Sequence, residues 1–198
     1  MNYWEHEPAL QSQGKDVVLT FDDGPSPWTA YLIQTLDQQH VPAVMFWNTY
    51  HLSYVSEEVC LLLKNSPNII VGDHTADHPN LLKIGYADQF REIVDAKQEI
   101  ENKTGEPVVF FRPPYGNYNA TTEQILNQAH LTPVMWDIDS LDWKYNGNKQ
   151  AILNTIQSEL RPGAIILMHD HKDTVDFLPD LIAMLRKDGY GFTTLQTS

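Results

Sequence analysis

The sequence predicts an α/β fold built on a parallel sheet, and three observations carry that reading. Short β-prone apolar runs alternate with segments of helical character along the chain. The runs are apolar at nearly every position, not at every second one, which is the pattern of strands covered on both faces. The least ordinary polar residues also fall at or just past the ends of these runs: Asp22-Asp23, Asp73-His74, Arg112, Asp137 and His169. In parallel α/β architectures the strand ends share one rim, where sites are built.

In chain order, the predicted strands cover residues 17–21, 43–47, 69–71, 108–111, 133–136, 164–168 and 191–195. Predicted helices cover 29–39, 56–65, 86–103, 121–130, 148–160 and 175–187. The helix at 121 opens with TTEQ, a hydroxyl followed three residues later by Gln, which is the spacing of a capping box. Seven strands and six helices fit either a doubly wound open sheet or a barrel short of the usual eight units. The turn after the first strand reads DDGPSP and lacks the G-x-G-x-x-G phosphate loop, which argues against a dinucleotide site.

Bulk properties bound the function. At 198 residues, with 42% hydrophobic and 20% charged content, the chain reads as one globular domain over residues 1–198. A formal net charge of −13 argues against nucleic acid, anionic membranes and polyanionic substrates. The single cysteine, Cys60, excludes an intramolecular disulfide and reads as a small core residue on an apolar helical stripe. No apolar run is long enough to span a bilayer. The opening MNYWEHEPALQSQGK lacks the basic and apolar regions of a signal peptide, so a cytoplasmic protein or a chain already relieved of its signal is expected.

Neighbouring residues of a strand point to opposite faces, so Asp22 and Asp23 are expected to do two different jobs. In GDHTADHP, His74 and His78 stand four apart, and on a helical turn that spacing sets both imidazoles on one face. Two histidines with one carboxylate form a common catalytic zinc set, and Asp22 or Asp23 is placed to complete it. Arg112 in FFRPPYGNY would hold nearby carboxylates ionised, and Pro113-Pro114 would hold the Tyr115 amide rigidly towards an oxyanion. His169, emerging from a buried strand, is a candidate acid or base, whereas a second metal site at His169 and His171 is not expected. His6, His40, His51 and His130 have no recognisable partners in the sequence.

Taken in order, the blocks TFDDG, HTADHP, RPPYG, DSLDW and LMH resemble the signature of polysaccharide deacetylases of carbohydrate esterase family 4, the NodB-homology domain. The blocks run from Thr20 to His169. The resemblance implies a distorted, incomplete (β/α) TIM-like barrel of about seven parallel strands. It implies that Asp23, His74 and His78 ligate one divalent metal ion, zinc first and cobalt or nickel as alternatives. Asp22 is then the catalytic base, steadied by Arg112, and His169 the general acid, oriented by Asp142. The Tyr115 amide contributes to the oxyanion hole, and Trp143 and Leu167 wall a pocket for the acetyl methyl. The implied activity removes N-acetyl groups from N-acetylglucosamine units of peptidoglycan, chitin or a related polymer. An O-acetyl esterase acting on xylan and a non-catalytic carbohydrate-binding module are the alternatives. The resemblance further implies a monomer whose full-length form is extracellular or wall-associated.

Two departures from the family pattern stand out. AVMFWNTYHLSYV adds Trp47, Tyr50 and Tyr54 near the rim, either to stack on sugars or to pack a loop. Asp73 precedes His74 where many relatives carry Asn, which would add negative charge near the metal.

Overall fold

A computed structural model describes residues 14–196. The eight strands are β1 (Asp16–Gly24), β2 (Ala43–Trp47), β3 (Ile69–Asp73), β4 (Phe110–Phe111), β5 (Thr132–Pro133), β6 (Ile138–Asp139), β7 (Ile165–His169) and β8 (Gly191–Phe192). Every pairing between them is parallel. The main path runs β5-β4-β3-β2-β1-β7-β6, with β8 pairing separately onto the start of β1. No pairing joins β5 to β6 among the described residues, so the seven-stranded path is a curled half-barrel and not a closed ring. That is the incomplete (β/α) barrel that the family resemblance implies, and it decides against the doubly wound open sheet.

The helices are α1 (Thr29–Gln38), α2 (Glu57–Asn65), α3 (Tyr86–Phe90), α4 (Ala96–Thr104), α5 (Ala120–Ala129), α6 (Asp142–Tyr145), α7 (Lys149–Glu159) and α8 (Lys172–Lys187). A π-helical turn, Arg91–Asp95, joins α3 to α4 where the sequence predicts one continuous helix. The capping box of α5 exists, but it uses Asn119 and Thr122 instead of the predicted Thr121 and Gln124. Asn caps more readily than Thr, and starting one residue earlier satisfies two backbone donors at once.

The central strands are covered on both faces. Val17, Leu19 and Phe21 of β1 with Ala43, Met45 and Trp47 of β2 join the large core beneath the helices. Val18, Val44 and Phe46 turn the other way, into a smaller cluster with Phe110, Val134 and Leu195. This two-sided burial is why the strands read as unbroken apolar runs.

One strand departs from expectation. Of the run predicted at 133–136 only Pro133 is strand, at the end of β5, because the buried Arg112 side chain takes the Val134 and Met135 carbonyls and removes them from a ladder; β6 lies beyond the predicted run. Cys60 is half-buried against the core, as expected. The opening residues 1–13, with His6 and most of the stretch read for a signal, lie outside the described residues. No described helix is long and apolar enough to cross a membrane.

Candidate metal centre and its flanking pairs

β1 keeps strict alternation as far as Asp22. Thr20 and Asp22 share a face, and both accept from Nη1 of Arg112 at 2.8 Å. Alternation would then send Asp23 to the opposite face, but it does not. From Phe21 to Gly24 β1 advances three residues while β2 advances two, from Met45 to Trp47, so β1 carries one extra residue. Asp23 absorbs it in the left-handed region at φ 62°, which a short acidic side chain tolerates. Its Oδ1 ends 3.6 Å from Nε2 of His74, and Oδ2 of Asp22 lies 3.7 Å from the same nitrogen. The expectation that the two acids face apart is therefore corrected: both approach one imidazole, and Arg112 is what distinguishes them.

Gly24 follows because nothing larger fits. A Cβ there would come within 2.7 Å of Asp170 Oδ2 and of the Trp47 ring.

The His74–His78 segment is an irregular loop and not the predicted helical turn. Thr75 and His78 both adopt positive φ, at 73° and 55°, and the His78 amide donates to Thr75 Oγ1 at 3.0 Å. These two reversals fold the loop back until the imidazoles meet edge to face, 5.0 Å between centroids. His74 is buried, and its Nδ1 donates to the Arg112 carbonyl at 2.6 Å, which leaves the lone pair on Nε2. Burial pulls the His74 imidazole down to about 3, outweighing the pull of Asp23, so the ring is neutral.

Its approaches to Asp22 and Asp23 are therefore not ion pairs. Nε2 of His78 is likewise 3.5 Å from Asp23 Oδ1, and that buried oxygen has no hydrogen-bond partner among the described residues. Donor atoms of Asp23, His74 and His78 all lie within 4.8 Å of one another. Zinc binds nitrogen and oxygen donors at about 2.0–2.2 Å, which sets tetrahedral neighbours about 3.3–3.6 Å apart. The orphaned Asp23 oxygen, the neutral His74 ring and the nearby His78 nitrogen fit a divalent cation.

The π-turn holds this loop from outside. The Glu92 carbonyl accepts from the Ala76 amide at 3.0 Å, and its carboxylate accepts from the Asp77 amide at 2.9 Å. Asn48, wholly buried, donates from Nδ2 to the His74 and Thr75 carbonyls. Asp73 is not one of the clustered donors. It is fully buried, its Oδ1 accepts from the Thr75 amide at 2.8 Å, and burial pushes its carboxyl well above the usual range.

Two carboxylate–cation pairs flank the cluster. Arg112 is completely buried beneath it, with Nε on the Val134 carbonyl, Nη2 on the Met135 carbonyl and the guanidinium 4.3 Å above the Phe46 ring. Burial raises the Asp22 carboxyl and Arg112 opposes that rise. The second pair joins Oδ1 of Asp142 to Nδ1 of His169 at 2.7 Å, while Oδ2 of Asp142 accepts from the His169 amide at 2.7 Å. Burial depresses the His169 imidazole, but the Asp142 hydrogen bond and the nearby carboxylates win, and its pKa stands at about 9. His169 is the register partner of Asp22 on the neighbouring strand, so the two pairs stand side by side.

The other predicted residues take these places. Tyr115 sits at φ 60° in a tight turn, well exposed, with its ring edge-on to His78 at 4.7 Å. Trp143, also exposed, donates from its amide to Asp142 Oδ1, and Leu167 is buried on β7 two residues before His169. His171 caps α8, its Nδ1 accepting from the Thr174 amide, and its ring lies parallel to that of His169 at 6.4 Å.

Asp137 is not at this rim. It accepts from the Ile165 amide at the start of β7 and pairs with Arg161, at the opposite end of the strands. Trp47 is wholly buried and so packs, whereas Tyr50 and Tyr54 are exposed. The sequence reading missed Glu92, Asn48, Thr75 and His51, whose Nδ1 lies 3.2 Å from the Asp23 carbonyl. Only Thr75, between the two histidines, carried a local signal.

Residues 9–134 match the polysaccharide deacetylase family. The chain belongs to that family. Among curated relatives, the peptidoglycan-N-acetylmuramic acid deacetylase PdaC of Bacillus subtilis is 29% identical over 96% of the chain and 40% of its own length. The peptidoglycan-N-acetylglucosamine deacetylase PgdA of Listeria monocytogenes is 32% identical over 91% of the chain and 38% of its own length. The chain thus spans about two fifths of these two relatives. A family 4 carbohydrate esterase from Streptomyces lividans, solved in complex with acetate, superposes with a TM-score of 0.79 at 33% identity, covering 94% of each chain. The half-barrel of this polysaccharide deacetylase family member is therefore matched over nearly its whole described length.

Proposed function

We propose that this chain is a metal-dependent hydrolase that removes N-acetyl groups from N-acetylglucosamine units of a polysaccharide, and that residues 1–198 form one catalytic domain. The observation that carries it is the separation of roles on one rim. Three mutually close groups able to ligate a metal stand beside a carboxylate locked to a buried arginine and an imidazole locked to a buried carboxylate. A binding module has no need of all three.

Asp23, His74 and His78 would hold one divalent ion, zinc first and cobalt or nickel as alternatives. When bound, such an ion polarises an acyl carbonyl and makes water a stronger acid near neutral pH. Asp22 is the base that takes the proton of the attacking water, because Arg112 holds one of its oxygens and leaves the other on the side of His74. His169 is the acid. Its Nδ1 is committed to Asp142, so the proton it gives the departing sugar amine comes from Nε2. The Tyr115 amide, fixed in its tight turn, is assigned to the developing oxyanion. Trp143 and Leu167 wall the acetyl methyl.

PgdA and PdaC are named for peptidoglycan sugars, which supports a wall glycan as substrate and a site of action outside the cell. Acetate release from N-acetylglucosamine oligomers, abolished by a chelator and restored by zinc, is the expected result. Acetate from acetylated xylan alone would instead establish the esterase. Metal binding with no acetate from either substrate would establish the binding module.

A further inference from the structure

A cleft of about 380 Å³ lies beside the candidate site, between the start of α1 and the turn Thr49–Tyr54 that leads into α2. Its walls carry the exposed rings of Tyr31 and Tyr54, and its polar lining includes Ser26, Gln34, Ser56 and Glu58. Neither tyrosine belongs to the metal cluster or to the flanking pairs. His51 links the cleft to that cluster, since its Nδ1 lies 3.2 Å from the Asp23 carbonyl and its ring meets Tyr54 in the cleft wall. Tyr50, half-exposed, lies in the field of Asp23, Asp77 and Tyr115, which together with burial raise its hydroxyl pKa. Its ring lies tilted against His51, 3.9 Å between centroids, and His51 meets Tyr54 edge-on at 5.9 Å. The ring contacts therefore run from Tyr50 through His51 to Tyr54 at the cleft, and His51 is also the residue that meets the Asp23 backbone.

The lining says what fits. Two exposed phenol rings offer flat apolar faces, and the polar groups between them offer hydrogen bonds at the edges. A pyranose ring has that same division, with C–H faces and hydroxyl edges. Ser26 lies three residues past Asp23, a reach of at most about 11 Å, the length of about two sugar rings. An anionic ligand is disfavoured by Glu58 in the lining and by the net charge of −13.

We propose that this cleft is a distal glycan subsite, in which Tyr31 and Tyr54 hold an uncharged pyranose of the same polysaccharide strand whose acetamide reaches the metal centre. The inference rests on the deacetylase reading above and deepens it to a preference for chain length.

The test compares wild type with Tyr31→Ala, Tyr54→Ala and the ring-preserving Tyr54→Phe on N-acetylglucosamine oligomers of increasing length. In wild type, kcat/KM should rise with length until the strand reaches the cleft. Each alanine variant should raise KM for long oligomers about tenfold and leave the shortest substrate unchanged, with Tyr54→Phe near wild type. Equal loss on short and long substrates, or no loss on either, would overturn the subsite. If no oligomer yields acetate, calorimetric binding of a long deacetylated oligomer and of its dimer to the same proteins decides the question. Tighter binding of the long form, lost in both alanine variants, supports the subsite while the deacetylase reading fails. Equal binding across all proteins, or none, overturns it.

Discussion

Two carboxylate–histidine assemblies stand a few residues apart on the same rim and have opposite chemistry. At Asp23, His74 and His78, the Asp23 Oδ1 faces two imidazole nitrogens at 3.5–3.6 Å and is hydrogen-bonded to neither. At Asp142 and His169, carboxylate and ring share a proton across 2.7 Å. The residue types are alike, so composition does not explain the difference. It follows from which ring nitrogen is already engaged. His74 spends its N–H on a carbonyl and is buried neutral, so only a cation can reconcile it with Asp23. His169 spends its N–H on a carboxylate and becomes easier to protonate. Here the backbone partner leaves His74 a neutral ring, and the acidic partner makes His169 easier to protonate.

The largest effects should come from crossing that line. Asp23→Ala, His74→Ala and His78→Ala are each expected to lose bound metal by elemental analysis and to reduce acetate release to background. Asp22→Asn should lose turnover by about a thousandfold while retaining the metal, since Arg112 and not the ion is its close partner. If Asp22→Asn also lost the metal, the division between the two neighbouring acids would be wrong.

Removing the acidic partner at the second assembly should cost about 10² to 10⁴ in kcat. The pH profile of Asp142→Asn is the sharper readout. The working form of His169 is the imidazolium, so wild-type activity should fall as pH rises through about 9. In Asp142→Asn that alkaline limb should move to lower pH. A limb that stayed in place would mean Asp142 does not set the acidity of His169.

At the first assembly, Glu92 acts only through the loop. Glu92→Ala should weaken metal binding to the apoprotein about tenfold, and Glu92→Gln, which keeps an acceptor for the Asp77 amide, should restore most of it. Equal affinities in all three proteins would reduce the π-turn to a packing detail.

The smallest effect is on stability. The folded pKa of His169 lies above its ordinary 6.5, so the stabilisation from the Asp142 pair is complete below 6.5 and declines as pH rises through about 9. Urea unfolding of the apoprotein should show this decline in wild type, with a flatter profile in Asp142→Asn.

Much of the barrel was readable in the chain because central strands buried on both faces leave unbroken apolar runs, as at Ala43–Trp47. β6 was not, since Ile138–Asp139 hides in an acidic, Trp-flanked stretch and owes its pairing to β7. The spacing of His74 and His78 singled out two imidazoles that do come together, but through a loop and not the helical turn the spacing suggested. Nothing near Glu92 marks it, because its contacts arise where a widened helical turn packs against a loop fifteen residues away.

Chain order was enough to bring acids, imidazoles and Arg112 to one rim, because parallel strands with helical returns end on the same side whatever their neighbours are. The division of labour proposed for Asp22 and Asp23 was not written locally. It depends on a bulge that turns Asp23 off its expected face and on an arginine ninety residues away in sequence that is buried against Asp22. Alternation and spacing are properties of a segment, whereas the partner a carboxylate meets is set by the packing of the whole sheet.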